Sequence, residues 1–578
     1  MAGVAWEVRA SEHGAVCPVM SAEEGRDRAD RDTSDALRYP PRMRILLVVL
    51  IACGGGPEGR DGTKSTTTTV DTGEPEVWTS GVIACADPSR RAEAPFDRQA
   101  LPTQVNSSIW LWAGGAIAVD WNGDDRVDIL APAETYTKSY TQTAAGTFAE
   151  DTAAFGLDLP WGTGGSAADY DGDGDLDLYL TRFDLPNVLL QNDGTGRFTD
   201  VTEQAGVPAG NYRTMSSSWA DYDRDGDLDL FVGNYGWVDE SGENATSDFQ
   251  PAEPSFLYVN RGDGTFDDQS AQLPQQVHDG YTYVSGWHDL DGDGWLDLYI
   301  INDFGAAYPN VLLWNREGTL EADGGLSGLD LQMTGMGLGI GELNGDGLPD
   351  LLIPEWNKVR LLQSTAGGFW IDYSALRGVS NDVSRGQKVG WGAALDDFDN
   401  DGDLDGFVAY GRVRYINEVW TNPPYQPDAL YQQDDAGDFA DVGEAWGLAD
   451  DGVGRGFAVA DLNDDGWLDL FKRDLDGPDL LYMSRCGAES WLRVQLRDPG
   501  MNHFAIGARV EVHSGDQVWW RVVRAGGVNY ASSGPPEVHF GLGAHDAVDR
   551  VVVHWPDGGM SEYAGIDGRQ IVRIHRRP

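Results

Sequence analysis

One acidic phrase of nine residues recurs seven times, and it constrains this chain more than any other feature. The copies start at Asp120, Asp169, Asp221, Asp289, Glu342, Asp397 and Asp461, at intervals of 49, 52, 68, 53, 55 and 64 residues. Each puts an oxygen-bearing side chain at positions 1, 3, 5 and 9. In the first three copies these are Asp120, Asn122, Asp124 and Asp128, then Asp169, Asp171, Asp173 and Asp177, then Asp221, Asp223, Asp225 and Asp229. The middle pair use Asp289, Asp291, Asp293 and Asp297, and Glu342, Asn344, Asp346 and Asp350. The last two use Asp397, Asp399, Asp401 and Asp405, and Asp461, Asn463, Asp465 and Asp469. Position 6 is Gly in six copies and Asp125 in the first, while position 7 varies freely from Arg126 to Trp295 and Leu348.

This is the donor set a hard divalent cation asks for. Ca²⁺ takes six to eight oxygens at ~2.3–2.6 Å. Alternate side chains from a tightly wound loop can supply them, with a glycine making the sharp turn at positive φ. Position 7 needs to offer only its carbonyl, which explains its variety. The loops are not EF-hands, which close at a Glu in position 12 between two helices. These close at position 9 and run into strand-like segments such as Leu178-Tyr-Leu and Leu298-Tyr-Ile. Up to seven structural Ca²⁺ ions are therefore expected as the cofactor. Against a formal charge of −53 they would leave the protein acidic, which argues against nucleic acid or an anionic membrane as partner.

Repeats of about 50 residues suit the four-stranded blade of a β-propeller. The fold class expected is all-β, a seven-bladed integrin-α-like propeller with calcium loops and a small β-rich C-terminal domain. In the third unit Ser217-Ser-Trp-Ala reads as the inner strand, followed by the loop, Leu230-Phe-Val-Gly, Phe256-Leu-Tyr-Val, an Asn260-Arg-Gly-Asp-Gly hairpin and Thr265-Phe-Asp-Asp. Phe148, Phe198, Phe266, Leu320, Phe369 and Phe439 each begin an outer strand 21 to 28 residues before the next loop. The seventh unit lacks such a strand, and Phe96, 24 residues before Asp120, sits where it should be. The N-terminal segment is therefore expected to close the ring. Cys85 and Cys486 flank that closure, and either pair as a disulfide in an oxidising compartment or remain two thiols.

Residues 43–53 have a basic start and a short apolar run ending in Leu50-Ile-Ala-Cys53. They resemble a bacterial lipoprotein signal, with Cys53 as the lipidated residue; the run is too short to span a bilayer. Residues 1–42 read as an upstream leader ahead of a start at Met43, and 54–80 as a flexible tether. The propeller is expected over 81–485. Export to a bacterial cell surface or as an outer-membrane lipoprotein follows from this resemblance, alternatively secretion, with the membrane reached by the lipid anchor only.

The loops and their Leu-Tyr-x-Asn-x-Gly phrases resemble FG-GAP/VCBS repeats of integrin-type propellers. The tail from 486 resembles an ASPIC/UnbV domain through Trp491-Leu-Arg-Val-Gln-Leu, Ile506-Gly-Ala-Arg-Val, His539-Phe-Gly-Leu-Gly and Val551-Val-Val-His-Trp-Pro-Asp-Gly. Together they resemble a bacterial member of the cartilage acidic protein family over about residues 81–578. That resemblance implies an extracellular protein and names architecture rather than chemistry. The tail alternates apolar and polar residues over 508–512, as a small β unit would, and is expected to pack on the propeller.

Catalytic motifs are missing: no HExxH, CxxC, G-x-S-x-G or phosphate loop occurs. Topology instead marks a binding face. If the loops after the inner strands hold calcium, the opposite face carries the insertions 235–254, 304–309 and 411–427, with Trp237, Tyr415, Trp420 and Tyr425. Arg213, Arg385, Lys388 and Arg455 fall on the same face and could form an anion pocket. The reading is a monomeric surface binding or adhesion module for an extracellular glycan or protein. The rival is a calcium-dependent polysaccharide lyase using His278 or Lys388 as base.

Overall fold

The computed structural model describes residues 76–101, 114–135, 137–236, 252–305, 307–379, 388–413 and 425–577. The leader, the signal with Cys53 and most of the tether lie outside them, as do Trp237, Arg385, Tyr415 and Trp420.

Among the described residues, seven four-stranded antiparallel units follow one another along the chain. Unit 3, for example, runs Tyr212–Ala220, Asp229–Asn234, Phe256–Asn260 and Phe266–Asp268. In every unit the acidic loop joins the first strand to the second, and its ninth residue opens the second strand: Asp128, Asp177, Asp229, Asp297, Asp350, Asp405 and Asp469. Apolar side chains weld neighbouring units. Phe231 and Leu257 of unit 3 pack with Trp287 and Ile300 of unit 4, and Ala458 and Phe471 of unit 7 with Ile129 and Tyr140 of unit 1. The last unit thus lies against the first, as in a propeller.

Unit 7 takes its outer strand from the N-terminus. Phe96–Ala100 pairs antiparallel with Leu480–Ser484, and Phe96 sits in the apolar layer between units 6 and 7. Cys85 and Cys486 are joined as a disulfide, Cα–Cα 5.6 Å. It tethers the segment entering this strand to the segment leaving the unit. In a chain-entropy account, closing so long a loop removes ~6 kcal/mol of freedom from the unfolded chain.

Two expectations are corrected. The tether does not extend to residue 80, because Glu76–Thr79 forms a strand against Gln570–His575 of the tail. In unit 5 the outer strand is Ile371–Asp372 and does not begin at Phe369. Phe369 is exposed, whereas Trp370 is buried and donates Nε1–H to the Pro349 carbonyl at 2.9 Å. The slip follows from which aromatic reaches the apolar layer; only Trp370 also finds a buried acceptor.

The tail forms two four-stranded sheets, one holding Glu76–Thr79, Gln570–His575, Ser490–Arg497 and Glu537–Gly543, the other Gln517–Val522, Arg509–Ser514, Ala547–His554 and Met560–Asp567. It lies on the acidic-loop face. A Cβ placed on Gly172 would meet Met501, one on Gly402 would meet Trp519, and one on Gly466 would meet Trp491. Between the sheets residues 525–533 thread the middle of the ring. Ala525–Gly526 pairs with Ser218–Trp219 of unit 3, and Asn529 exchanges backbone hydrogen bonds with Leu338 of unit 5 (2.7 and 3.1 Å). Gly165 donates to the Ala531 carbonyl (3.2 Å), and Ser533 to that of Ala116 (2.9 Å). This close approach requires glycine on the inner strands: a Cβ on Gly164 or Gly286 would stand 2.0 or 2.2 Å from a carbonyl oxygen of the threaded segment.

Candidate metal loops and binding face

The seven loops share one backbone. Position 6 is left-handed in all of them, including Asp125 (φ 61°) as well as Gly174 (96°) and Gly402 (106°). Position 4 is left-handed too, from Gly172 (74°) to Arg224 (60°), Asn400 (61°) and Asp464 (57°). Sequence reasoning singled out only position 6; the signal at position 4 was Gly, Asn or Asp in six of seven copies, residues that tolerate this region at least cost. Arg224 is the exception, and its guanidinium stacks 4.1 Å from the ring centre of Trp295, position 7 of the next loop.

The first and last carboxylates organise each loop. Asp169 accepts from the backbone N–H of Gly172 (2.8 Å), Asp173 (3.1 Å) and Gly174 (2.9 Å). Asp177 accepts from Tyr170 (3.3 Å) within the loop and from Asn192 (2.8 Å) in the third strand. The same third-strand bond recurs at Asp128, Asp229, Asp297, Asp350, Asp405 and Asp469. The ninth carboxylate therefore ties loop to blade.

Four loops gather three carboxylates with oxygens within 4.8 Å of one another: Asp169, Asp171 and Asp177; Asp221, Asp223 and Asp225; Asp289, Asp291 and Asp297; Asp397, Asp399 and Asp405. Burial, opposed by backbone hydrogen bonds and reinforced by neighbouring acids, raises Asp169 and Asp221 to about 7. Asp177, Asp229, Asp297 and Asp405 go well above the usual carboxylate range for the same leading reason. Asp221 Oδ1 and Asp397 Oδ1 are buried with no hydrogen-bond donor. All-oxygen donors, crowded like charges and orphaned buried oxygens are what a Ca²⁺ cage presents before its ion is counted. The residues present fit the ion.

Loops 1, 5 and 7 have Asn at position 3 and are held differently. Asn122 Nδ2 donates to Asp128 (2.9 Å), and Asp124 pairs with Arg126. Asp125, on the outside of loop 1, receives Arg573 of the tail (2.5 Å). In loop 7 the tail's Arg493, 4% exposed at its side chain, bonds Asp461 (2.9 Å) and Asp464 (2.8 Å).

Sequence reasoning also missed an inter-blade clamp. Asn192 Nδ2 donates to the carbonyls of Leu176 in its own loop (3.0 Å) and Trp121 in the preceding one (2.8 Å). Asn260 bridges Leu228 and Tyr170, and Asn315 bridges Leu296 and Tyr222, in the same way. These asparagines were visible in the Leu-Tyr-x-Asn phrase but read as hairpin residues.

On the opposite face, among the described residues, the cations proposed for an anion pocket are engaged within the protein. Arg213 is buried between Glu253 (3.1 Å) and Asp184 (2.9 Å), and Arg455 is fully buried, 3.7 Å from the ring centre of Trp391. In so acidic a chain a cation finds an intramolecular partner first. Lys388 donates to the Pro427 carbonyl (2.9 Å) over the Tyr410 ring, and His278 Nε2 lies 3.1 Å from the Ser270 carbonyl. Tyr425 is exposed.

This is a propeller of acidic-loop repeats capped and threaded by a β-sheet tail. The FG-GAP-like repeat family matches residues 120–180, 169–232 and 289–353, and the ASPIC and UnbV family matches 498–577. The chain thus carries FG-GAP-like repeats within residues 120–353 and an ASPIC and UnbV domain over 498–577. It is 27% identical over 421 residues to cartilage acidic protein 1 of Homo sapiens, covering 69% of this chain and 60% of that protein. The Xenopus tropicalis protein of that name is 25% identical over 419 residues, covering 68% and 61%. The chain therefore spans about three fifths of the length of these relatives. Among solved structures, YCF48 bound to D1 peptide is similar with a TM-score of 0.40 (11% identity; 70% of this chain, 99% of that one). An Agrocybe aegerita lectin described in recognition of N-acetylglucosamine scores 0.36 (14%; 64% and 87%), and the rhamnogalacturonan lyase YesW 0.30 (13%; 81% and 93%). Among the described residues no helix is long and apolar enough to cross a membrane.

Proposed function

We propose that this is an exported binding module whose propeller is held in shape by Ca²⁺ and whose ligand, an extracellular glycan or protein, docks on the face opposite the acidic loops. The observation that carries the metal reading is the convergence of three carboxylates in each of four loops. Metal binding and folding are then linked, each occupied site adding RT ln(1 + [Ca²⁺]/Kd) to stability. Weak cages with Kd ~10⁻⁴–10⁻³ M suit a calcium-rich exterior. Export agrees with the disulfide between Cys85 and Cys486; lipid anchoring at Cys53 belongs to the same proposal, and metabolic labelling with palmitate tests it.

Support for the docking face comes from exclusion. The tail lies on the acidic-loop face, and residues 525–533 fill the middle of the ring. Among the described residues, the opposite face, with exposed Tyr425, is the broad surface not covered in this way. A glycan array probed with the full chain in millimolar calcium and again in EGTA tests the reading. Calcium-dependent binding lost on Tyr425→Ala supports it, and binding unaffected by truncating that face sinks it. The lyase alternative gains no observation, since His278 and Lys388 are both engaged by backbone carbonyls.

A further inference from the structure

On the acidic-loop face, a cleft of about 150 Å³ opens between loops 1 and 2 and the tail, walled in part by Trp121, Arg126, Arg493, Arg497, Phe504 and Arg573. Four guanidinium groups in one small cleft are unusual for a chain of charge −53, and three are fully engaged. Arg126 pairs with Asp124 and donates to the Gln142 carbonyl (3.0 Å). Arg493 is taken by Asp461, Asp464 and Glu537 (2.9, 2.8 and 3.1 Å). Arg573 bonds Asp125 (2.5 Å) and the Gln495 side-chain oxygen (3.0 Å).

Arg497 is different. It donates Nη1–H to the carbonyl of its neighbour Leu496 (2.8 Å) and lies 4.5 Å from the ring centre of Phe504. Among the described residues it forms no ion pair. Of the four carboxylates on the cleft walls, Asp125 is committed to Arg573, Glu537 to Arg493 and Gln495, and Asp120 to three backbone N–H groups of its own loop, while Asp175 lines the loop-2 side. Burial and the like charge of Arg573, opposed by Glu537, Asp125 and Asp120, lower the Arg497 pKa to about 10. A part-desolvated guanidinium facing a second one is stabilised by an anion between them, and a carboxylate matches the fork of donors that such a group presents.

We propose that this cleft binds a small monocarboxylate, with Arg497 as the residue that grips the carboxylate. At ~30 Å³ per water the volume admits ~5 waters, hence a ligand of about that many heavy atoms. Charge selects the class further, because a polyanion would be repelled by the acidic ring, whereas a singly charged acid needs only Arg497 as its counter-charge. Phe504 and Pro536 supply an apolar side for the carbon skeleton.

The test uses the full chain in calcium, with lactate as probe and lactamide as its uncharged counterpart, read by saturation-transfer NMR and by tryptophan fluorescence. Lactate should bind saturably in the millimolar range and lactamide at least ~10-fold more weakly. Arg497→Met should abolish lactate binding with the thermal unfolding midpoint held, and Arg497→Lys should retain part of it. Equal binding of lactate and lactamide, no saturable binding of either, or undiminished lactate binding to a folded Arg497→Met protein would each overturn the proposal. Should Arg497→Met not fold, the lactate-against-lactamide ratio on the wild-type chain still decides. Failure here leaves the calcium reading and the opposite docking face untouched, since neither uses Arg497.

Discussion

Units 2, 3 and 4 repeat one another closely, whereas units 5, 6, 7 and 1 depart from the pattern, and the departures mostly fall where the tail is bonded most heavily. In the regular arc each loop carries Asp at positions 1, 3, 5 and 9, and Asn192, Asn260 and Asn315 stitch each loop to the one before. The residues at the matching third-strand site elsewhere are Gln142, Ser364, Gln433 and Ser484. In the irregular arc other groups do the holding. Arg493 clamps loop 7, His539 Nε2 lies 3.0 Å from the Gly466 carbonyl, Gly543 donates to that of Asn400 (2.8 Å), and Arg573 takes Asp125. A repeat whose neighbours are copies of itself must keep the same contacts at both sides; one that also meets a unique partner can drift. The loop with the best cage in that arc, loop 6, is the one whose four acids were kept.

The largest effect should come from breaking what both arcs share. Gly286→Val places a side chain where the Gly527 carbonyl sits, so the threaded segment cannot seat. We expect loss of ~3 kcal/mol or more, or failure to fold, read by chemical denaturation. A smaller loss than that of a surface valine would show that the segment is not needed for the ring.

Next comes pH without metal. Burial raises Asp128 to about 8 and Asp169, Asp221 and Asp350 to about 7. The folded, metal-free state therefore binds more protons than the unfolded chain between about pH 4 and pH 8. In EGTA, stability should be highest near pH 4 and fall as pH rises through that window. In millimolar calcium the sign should reverse, because acid displaces the ion. Thermal melts across pH in both conditions check the crossing.

Within calcium, Asp177→Ala in a strict loop should cost ~3 kcal/mol, since it strips a cage and orphans two backbone N–H groups. Asp350→Ala in loop 5 leaves similar orphans but a poorer cage, and should show the smaller calcium-dependent part. Equal calcium dependence would erase the distinction between the arcs. The smallest effect is expected from the clamps: Asn260→Ala should cost ~1–2 kcal/mol for two buried carbonyls left unmet.

Much of this was legible in the sequence because the loop constrains both chemistry and topology. Seven copies with a strand-like exit marked the blades, and the missing outer strand of unit 7 pointed to Phe96. What was illegible depends on packing between units. Whether Phe369 or Trp370 turns inward is decided by a carbonyl 21 residues away. That Arg213 and Arg455 lie buried inside the protein depends on Glu253 and Trp391, which no local spacing reveals. Nor does the tail's alternation show that nine of its residues thread the ring; inner-strand glycines such as Gly115, Gly164, Gly286 and Gly456 were its trace, and they read as small residues in strands.

The most direct test is a calcium titration of the full chain by isothermal calorimetry, with metal analysis of the saturated protein. Two classes of site should appear, four tighter ones for loops 2, 3, 4 and 6 and up to three weaker ones, with Asp405→Ala removing one of the tighter class. No calcium uptake, or seven equivalent sites, would contradict the account.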